Sequence, residues 1–213
     1  MEYPKIQSLW KREPNEKKSL IPGDYSEPEF GNIRRWRVDE KIDGTNIRIS
    51  YVKNSFVPIM FDGRTSKAQI PTNLIKVLSS KFQNQTSYDL FEKVFPSADK
   101  VILFGEGYGP KIQSSGSNYR KEPGFMLFDV FIVGWWIKRE DVVEIASKLE
   151  IDVVPSLGIM EECEIVEFVK SNPLSKCSYV PQRIEGVVCR SEPLVLFRNQ
   201  KQVMWKLKCR DFK

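Results

Sequence analysis

Alternation of apolar and polar residues predicts strands in both halves of the chain. Ile47, Ile49 and Tyr51 alternate with polar neighbours, which is the period of a half-buried strand. Alternation and short apolar runs together predict strands at about 34–41, 46–53, 100–105, 124–133, 184–190, 194–198 and 202–208. Residues 11–31 are rich in Lys, Glu, Pro and Gly and predict an irregular lead-in.

Apolar residues at helical spacing predict helices between these strands. In the clearest case, at about 139–150, one helix face carries Val142, Val143, Ile145, Ala146 and Leu149. Further helices are predicted at about 72–84, 87–95 and 160–171. Because strands dominate and do not alternate regularly with helices, we predict an α+β fold of largely antiparallel sheets, formed as one domain over residues 1–213.

The composition is that of a globular protein, with 41% hydrophobic and 29% charged residues among 213. No apolar run approaches the roughly 18 residues of a membrane span. The start, Met-Glu-Tyr-Pro-Lys, lacks the pattern of a signal peptide. We therefore expect an intracellular protein, cytoplasmic or nuclear, without a membrane partner. The net charge of +5 suits a polyanionic partner but is weak evidence for one.

The chain contains no histidine, which excludes Ser-His-Asp and Cys-His nucleophiles and two-histidine metal sites. Any catalysis must therefore use Lys, Asp, Glu, Arg, Tyr, Cys or a metal held by carboxylates. The four cysteines lie singly, without C-x-x-C spacing: Cys163, Cys177, Cys189 and Cys209. This spacing favours structural thiols over a zinc site.

The segment Glu40-Lys41-Ile42-Asp43-Gly44-Thr45-Asn46 connects two predicted strands. Taken alone, it has the composition of a charged strand end that runs into a turn at Gly44. A lysine amine in such a place becomes a nucleophile only when it is neutral, which requires burial or nearby cations. Phosphoryl chemistry also requires positive charge around the phosphates and carboxylates for a metal.

K-x-D-G-x-N at 41–46 resembles motif I of the covalent nucleotidyltransferases, the superfamily of DNA ligases, RNA ligases and mRNA capping enzymes. Later segments resemble motifs Ia, III, IIIa, IV and V in the family's order: Gly63-Arg64-Thr65-Ser66, Phe104-Gly105-Glu106-Gly107, Phe128-Asp129-Val130, Glu185-Gly186-Val187-Val188 and Trp205-Lys206-Leu207-Lys208. The resemblance implies an ATP-grasp-like nucleotidyltransferase domain in which Lys41 takes AMP from ATP.

The resemblance also implies roles for individual residues. The implied catalytic residues are Lys41, Glu185, Lys206 and Lys208. The implied nucleotide contacts are Glu40, Lys41, Ile42, Asn46, Arg64, Glu106, Phe128, Glu185, Val187, Lys206 and Lys208. Phe128 would stack on the adenine, whereas Arg64 is either a nucleotide contact or an ordinary exposed charge. Mg²⁺ or Mn²⁺ would be held, through water, by Asp43, Glu106 and Glu185.

Two features favour an RNA ligase within the superfamily. DNA ligases and capping enzymes usually carry arginine where this chain has Asn46, whereas RNA ligases of the phage RNA ligase 2 and editing type carry asparagine. The sequence also ends five residues after Lys208, without room for an OB-fold domain. We therefore predict a monomeric ATP-dependent RNA ligase that joins 5′-phosphate and 3′-hydroxyl ends through a lysyl-N-AMP and an adenylylated RNA. The alternatives are a minimal DNA ligase, another nucleotidyltransferase and an inactive nucleic-acid-binding relative.

The Gly/Ser/Lys-rich loop at 107–122 is open to two interpretations. Lys111, Tyr119 and Arg120 could follow an RNA backbone and stack a base, or they could belong to an ordinary solvated loop. Trp135 and Trp136 also invite a stacking role, but we interpret both as core aromatics.

Overall fold

The computed structural model describes residues 1–15, 19–65 and 67–212. In chain order the strands are β1 Gln7–Ser8, β2 Trp10–Arg12, β3 Leu20–Tyr25, β4 Trp36–Lys41, β5 Thr45–Val52, β6 Ile59–Gly63, β7 Lys100–Tyr108, β8 Gly124–Ile132, β9 Trp135–Trp136, β10 Asp152–Val153, β11 Ser156–Met160, β12 Gly186–Ser191 and β13 Met204–Lys208. The helices are α1 Thr72–Phe82, α2 Gln85–Val94, α3 Gly116–Tyr119, α4 Arg139–Lys148 and α5 Glu162–Lys170, with 3₁₀ turns at Pro28–Asn32 and Cys209–Phe212.

The contacts divide the chain into two compact units. The single domain over residues 1–213 stays a prediction. The first unit comprises Met1–Tyr3 and Asp43–Val154, and the second unit comprises Pro4–Ile42 and Pro155–Lys213. Each unit contains its own sheet and its own buried core, and each is described separately below.

The first unit is built on a sheet of strand order β10-β8-β7-β5-β6, with β9 added on β8. The pairs are antiparallel except that β10 runs parallel to β8. Helices α1 and α4 pack against β8. The alternating apolar positions that predicted β5, Ile47, Ile49 and Tyr51, are all buried in the core beneath these helices.

The second unit is built on a sheet of strand order β1-β13-β12-β4-β11, while β2 and β3 form a separate antiparallel pair. Only the short strand β1 runs parallel to its neighbour, β13, among the described strands of this sheet. Trp36 and Trp205 are fully buried at its centre, with ring centroids 5.2 Å apart. Helix α5 covers this core and contacts β13.

The predicted α+β fold with largely antiparallel sheets is confirmed, but several local predictions were wrong. Residues 194–198 do not form a strand, because only Leu196 makes a single bridge, to Gln202. The lead-in at 11–31 is not wholly irregular, since it contains part of β2 and all of β3. Trp136 is core, but Trp135 is 75% exposed, because adjacent residues of β9 point to opposite sides. Among the described residues, the helices are all too short or too polar to cross a membrane.

Candidate active site

Strand pairing in the second unit places two of the predicted lysines in one row. Lys41, the last residue of β4, pairs with Gly186 of β12, and Gly186 pairs with Lys208 of β13. Glu185 immediately precedes Gly186, and its carboxylate lies between the two ammonium groups. Lys41 Nζ lies 2.7 Å from Glu185 Oε2, while Lys208 Nζ donates to Glu185 Oε1. We call Lys41, Glu185 and Lys208 the lysine–glutamate row.

The two ammonium groups of this row favour the ionised form of Glu185. Burial opposes ionisation of Glu185, but the ammonium groups of Lys41 and Lys208 outweigh that effect and hold its pKa below the usual value. Lys41 is the cation of an ion pair in which its Nζ lies 2.7 Å from Glu185 Oε2. Nucleophilic attack by Lys41 therefore requires that a proton leave its amine first.

Lys206 lies on the same face of β13, two residues before Lys208. Burial and the positive charges of Lys41 and Lys208 lower the pKa of Lys206 to about 8. At pH 7 about one in ten Lys206 side chains is thus neutral, far more than for a lysine of ordinary pKa, while most remain charged.

Glu40 precedes Lys41, and its side chain is only 2% exposed. Its carboxylate accepts hydrogen bonds from Ser175 Oγ at 2.5 Å and from the backbone N–H of Lys176 at 2.9 Å. The adjacent Cys177 is a free thiol, and burial raises its pKa to about 12. The loop at 175–177 therefore holds the residue next to the proposed nucleophile.

Two further predicted nucleotide contacts of the second unit, Ile42 and Val187, are buried. Ile42 is 3% exposed and Val187 is fully buried in the core. Val187 pairs with Glu40 and Leu207, so its side chain faces the core rather than the face that carries Lys206. Their assignment as nucleotide contacts stays a prediction.

In the first unit, pairing of β5 with β7 places Asn46 opposite Glu106. Asn46 Oδ1 is a buried acceptor with no hydrogen-bond partner among the described residues. The carboxylate of Asp43 accepts a hydrogen bond of 2.6 Å from Ser115 Oγ. The backbone N–H of Asp43 donates to Tyr119 Oη at 3.3 Å. Two elements that sequence analysis treated separately, the segment after Lys41 and the loop at 107–122, thus meet at Asp43.

Phe128 occupies a β-bulge of β8. Its neighbours Leu127 and Asp129 pair with Gly105 and Phe104, and Phe128 is the extra residue between them. A bulge redirects a side chain, which explains why Phe128 is only half-buried while Phe125 to Leu127 are buried.

The N-terminal residues of the first unit support Phe128. The Tyr3 ring makes an edge contact with the Phe128 ring at a centroid distance of 5.0 Å, and Tyr3 Oη donates to the buried Asp129. Arg64, another predicted nucleotide contact, is exposed directly after β6, and Ser66 of the same motif lies outside the described residues.

The loop at 107–122 places its three predicted RNA contacts in different environments. Lys111 is exposed, whereas Tyr119 is 4% exposed. Arg120 Nη1 donates to Tyr108 Oη at 3.0 Å and forms an ion pair with Asp152. Their role in RNA binding stays a prediction.

Comparison with known families identifies the family of this chain. The RNA ligase family model matches residues 34–208, which include both ends of the lysine–glutamate row. The chain belongs to the RNA ligase family. No curated protein sequence matches it.

Solved structures agree with that assignment at the level of the fold. A Naegleria gruberi RNA ligase with PPi superimposes with a TM-score of 0.62 at 16% identity, covering 98% of this chain and 56% of the ligase. An apo variant of that enzyme gives 0.64 at 16% identity, covering 100% and 56%. A variant with ATP and Mn gives 0.63 at 16% identity, covering 98% and 56%. The chain thus spans little more than half the length of these ligases.

Residues missed by the sequence analysis lie on the same face as the lysines. Arg190 Nη1 and Asp39 Oδ2 form a buried ion pair at 2.9 Å, and their side chains are 9% and 3% exposed. Asp39 shares its row across the sheet with Val188 and Lys206. The signal in the sequence is weak: an apolar residue precedes each of them, Val38 and Cys189, but a polar residue follows each, Glu40 and Ser191.

The described residues contain no group of three His, Cys, Asp or Glu side chains placed to hold a metal ion. Mg²⁺ and Mn²⁺ in phosphoryl-transfer sites are commonly held by one or two carboxylates, water and the phosphates of the nucleotide. The ionised Glu185 fits that mode of binding. The assignment of Asp43 and Glu106 to a metal stays a prediction.

Gly186 pairs with both Lys41 and Lys208, and the substitution Gly186→Ala tests the geometry of the lysine–glutamate row. A Cβ atom at this position would lie 2.1 Å from the carbonyl oxygen of Leu207 and 2.7 Å from the Cα of Lys208. Because these are backbone atoms, β13 must move to admit the methyl group. We expect a loss of about 1–3 kcal/mol in the free energy of unfolding, measured in urea. Gly134→Ala is a control for backbone strain without a steric clash, since Gly134 has a positive φ of +94° but nothing lies within 4 Å of its Cβ. An unchanged midpoint for Gly186→Ala would contradict the close packing.

The lowered pKa of Lys206 predicts unusual reactivity toward an amine-selective acetylating reagent. Reaction requires the neutral amine, so its rate is expected to reach half of its maximum near pH 8. A lysine with the ordinary pKa of about 10.4 continues to gain reactivity well above that pH. Rates are read by peptide mass spectrometry from pH 6 to 10. Lys208→Gln removes a neighbouring cation and is expected to move the midpoint upward. A midpoint near 10 in the unsubstituted chain would refute the prediction.

Proposed function

We propose that this chain is the nucleotidyltransferase part of an ATP-dependent RNA ligase that joins 5′-phosphate and 3′-hydroxyl RNA ends. One observation carries the proposal: in a member of the RNA ligase family, Lys41 and Lys208 lie on either side of the Glu185 carboxylate, in a row across three strands. This arrangement pairs a candidate amine nucleophile with the positive charge that phosphate chemistry requires.

In the first step the amine of Lys41 attacks the α-phosphorus of ATP. A nitrogen–phosphorus bond forms, the phosphorus–oxygen bond to pyrophosphate breaks, and the amine loses its proton. Lys206 and Lys208 offset the negative charge that develops on the phosphate. Glu185 keeps Lys208 in place and is the carboxylate nearest to the attacking amine.

The second and third steps transfer AMP and release it. An oxygen of the RNA 5′-phosphate attacks the phosphorus of the lysyl-AMP, which regenerates Lys41 and leaves an adenylylated RNA end. The 3′-hydroxyl of the other strand then attacks the 5′-phosphate. A phosphodiester bond forms, the hydroxyl proton is lost, and AMP leaves.

We assign ATP and a divalent cation as the other components. The Naegleria gruberi ligase variant was solved with ATP and Mn, which supports this choice for a member of the same family. Mg²⁺ or Mn²⁺ bound to the phosphates would neutralise part of their charge. The unpaired Asn46 Oδ1 is an acceptor suited to a ribose hydroxyl. As the resemblance implies, we also assign nucleotide contacts to Phe128, Arg64 and Glu106.

The first test is incubation of the chain with ATP and Mg²⁺ or Mn²⁺, followed by measurement of the intact mass. We expect a gain of one AMP that is reversed by added pyrophosphate. No gain with either metal and any nucleoside triphosphate would refute the nucleotidyltransferase, and a gain with GTP alone would refute ATP as the cosubstrate.

The second test distinguishes RNA from DNA. Nicked duplexes that differ only in the sugar of the 3′-hydroxyl strand, RNA or DNA, are sealed side by side. Faster sealing of the RNA strand is expected. Faster sealing of the DNA 3′-hydroxyl strand would instead favour a minimal DNA ligase.

A further inference from the structure

Beside the lysine–glutamate row, the second unit contains a groove of about 550 Å³. Six cationic side chains line it: Lys5, Lys11, Arg12, Lys206, Lys208 and Arg210. Two of them, Lys206 and Lys208, also belong to the catalytic residues proposed above, so the groove is continuous with that site. We call it the cationic groove.

The groove is built where β1 lies beside β13. Ser8 pairs with Lys206, and Arg12 donates to Ser8 Oγ at 3.1 Å and to Asp211 Oδ1 at 3.0 Å. The other oxygen of Asp211 accepts a hydrogen bond of 2.9 Å from the backbone N–H of Lys208. Asp211 therefore fixes Arg12 and the end of β13 together in one arrangement.

Positive charges outnumber negative charges along the groove, although Lys208 pairs with Glu185 and Arg12 with Asp211. Asp211 is the acidic residue among the groove's lining side chains, and its side chain is only 3% exposed. Lys11 pairs with Asp24 at 2.7 Å, but both partners are exposed, and such surface pairs contribute little and are readily exchanged. The excess positive charge favours binding of a polyanion.

The distribution of exposure favours an extended ligand over a single small anion. Lys206 and Lys208 are half-buried, whereas Lys5, Lys11 and Arg210 are exposed. The cations thus continue from the proposed catalytic residues out to the surface. Trp10, the aromatic residue of the lining, is 7% exposed and offers no stacking face, so the groove suits phosphates rather than bases.

We propose that the cationic groove binds the phosphate backbone of the RNA strand, with Lys5, Lys11 and Arg210 as its outer contacts. This inference rests on the proposed function for the identity of the polyanion. It extends RNA binding to the second unit, in addition to the loop at 107–122 that the sequence suggested.

The test measures binding of a fluorescent single-stranded RNA with a 5′-phosphate, by anisotropy across a range of salt concentrations. For single strands, each phosphate contact contributes about 0.7 to the slope of log K against log salt. The triple variant Lys5→Ala, Lys11→Ala and Arg210→Ala is expected to reduce the slope by about 2. The matched control Lys76→Ala, Lys93→Ala and Lys100→Ala removes three exposed lysines of the first unit and should leave the slope unchanged. The single variant Lys5→Ala, with an expected reduction of about 0.7, provides the answer if the triple variant fails to fold.

Uptake of AMP, read by intact mass, separates this inference from its alternatives. We expect the triple variant to take up AMP at the unsubstituted rate. Reduced AMP uptake with an unchanged salt slope would mean that the groove holds the triphosphate of ATP, and the inference would fail. A reduced slope in a chain that takes up no AMP at all would support the groove while refuting the proposed nucleotidyltransferase.

Discussion

Lys41→Arg is expected to abolish formation of the AMP adduct while leaving the fold intact. The guanidinium remains charged at every accessible pH, so it can keep the ion pair with Glu185 that Lys41 makes at 2.7 Å. It cannot supply a neutral amine, and the first chemical step is lost. Loss of a covalent nucleophile commonly costs more than about 10³-fold, so no mass gain of AMP is expected in the time that saturates the unsubstituted chain.

The matched control is Lys170→Arg, the same substitution at the end of α5, where the side chain is exposed and pairs with Glu167. Its AMP uptake should equal that of the unsubstituted chain. A chemically adenylylated RNA end provides a second control, because sealing such an end requires no lysyl-AMP. Lys41→Arg should still join it to a 3′-hydroxyl. Failure there as well would show that the substitution damaged the site rather than the nucleophile alone, and AMP uptake by Lys41→Arg would exclude Lys41 as the nucleophile.

Features that depend on local periodicity could be predicted from the sequence. Strand alternation placed Lys206 and Lys208 on one face, and in the structure both line the same groove. The apolar positions of β5 likewise identified core residues. These predictions succeed because the two-residue period of a strand is set by its backbone and requires no knowledge of its neighbours.

Features that depend on register between distant strands could not be predicted in the same way. Lys41 and Glu185 are separated by 144 positions, and only the antiparallel pairing of β4 with β12 brings them together. The bulge at Phe128 is another case, because one extra residue in β8 ends the simple alternation that would place Phe128 on the same face as Met126. The short β1, which supplies Gln7 and Ser8 to the cationic groove, has too few residues to show any period.

Removal of the buried cation Arg190 is expected to be the most destabilising single substitution considered. Asp39 and Arg190 lie within the sheet that carries the lysine–glutamate row, and their ion pair is 2.9 Å long. Arg190→Met keeps most of the side-chain volume but leaves Asp39, 2% exposed, as a buried carboxylate without its cation. Breaking a buried pair in this way typically costs about 3–5 kcal/mol. The measurement is the free energy of unfolding in urea.

The double variant Arg190→Met with Asp39→Leu distinguishes the cost of the lone charge from the value of the pair. Replacing both members of a buried pair with apolar side chains is often neutral, so the double variant should recover most of the lost stability. Lys170→Met breaks an exposed pair and should cost less than about 1 kcal/mol. Because β4 ends at Lys41 and β12 begins directly after Glu185, AMP uptake should fall in Arg190→Met and return with stability in the double variant. A stable double variant without AMP uptake would instead show that the ion pair orients the catalytic lysines. The pair would then be required for activity as well as for stability.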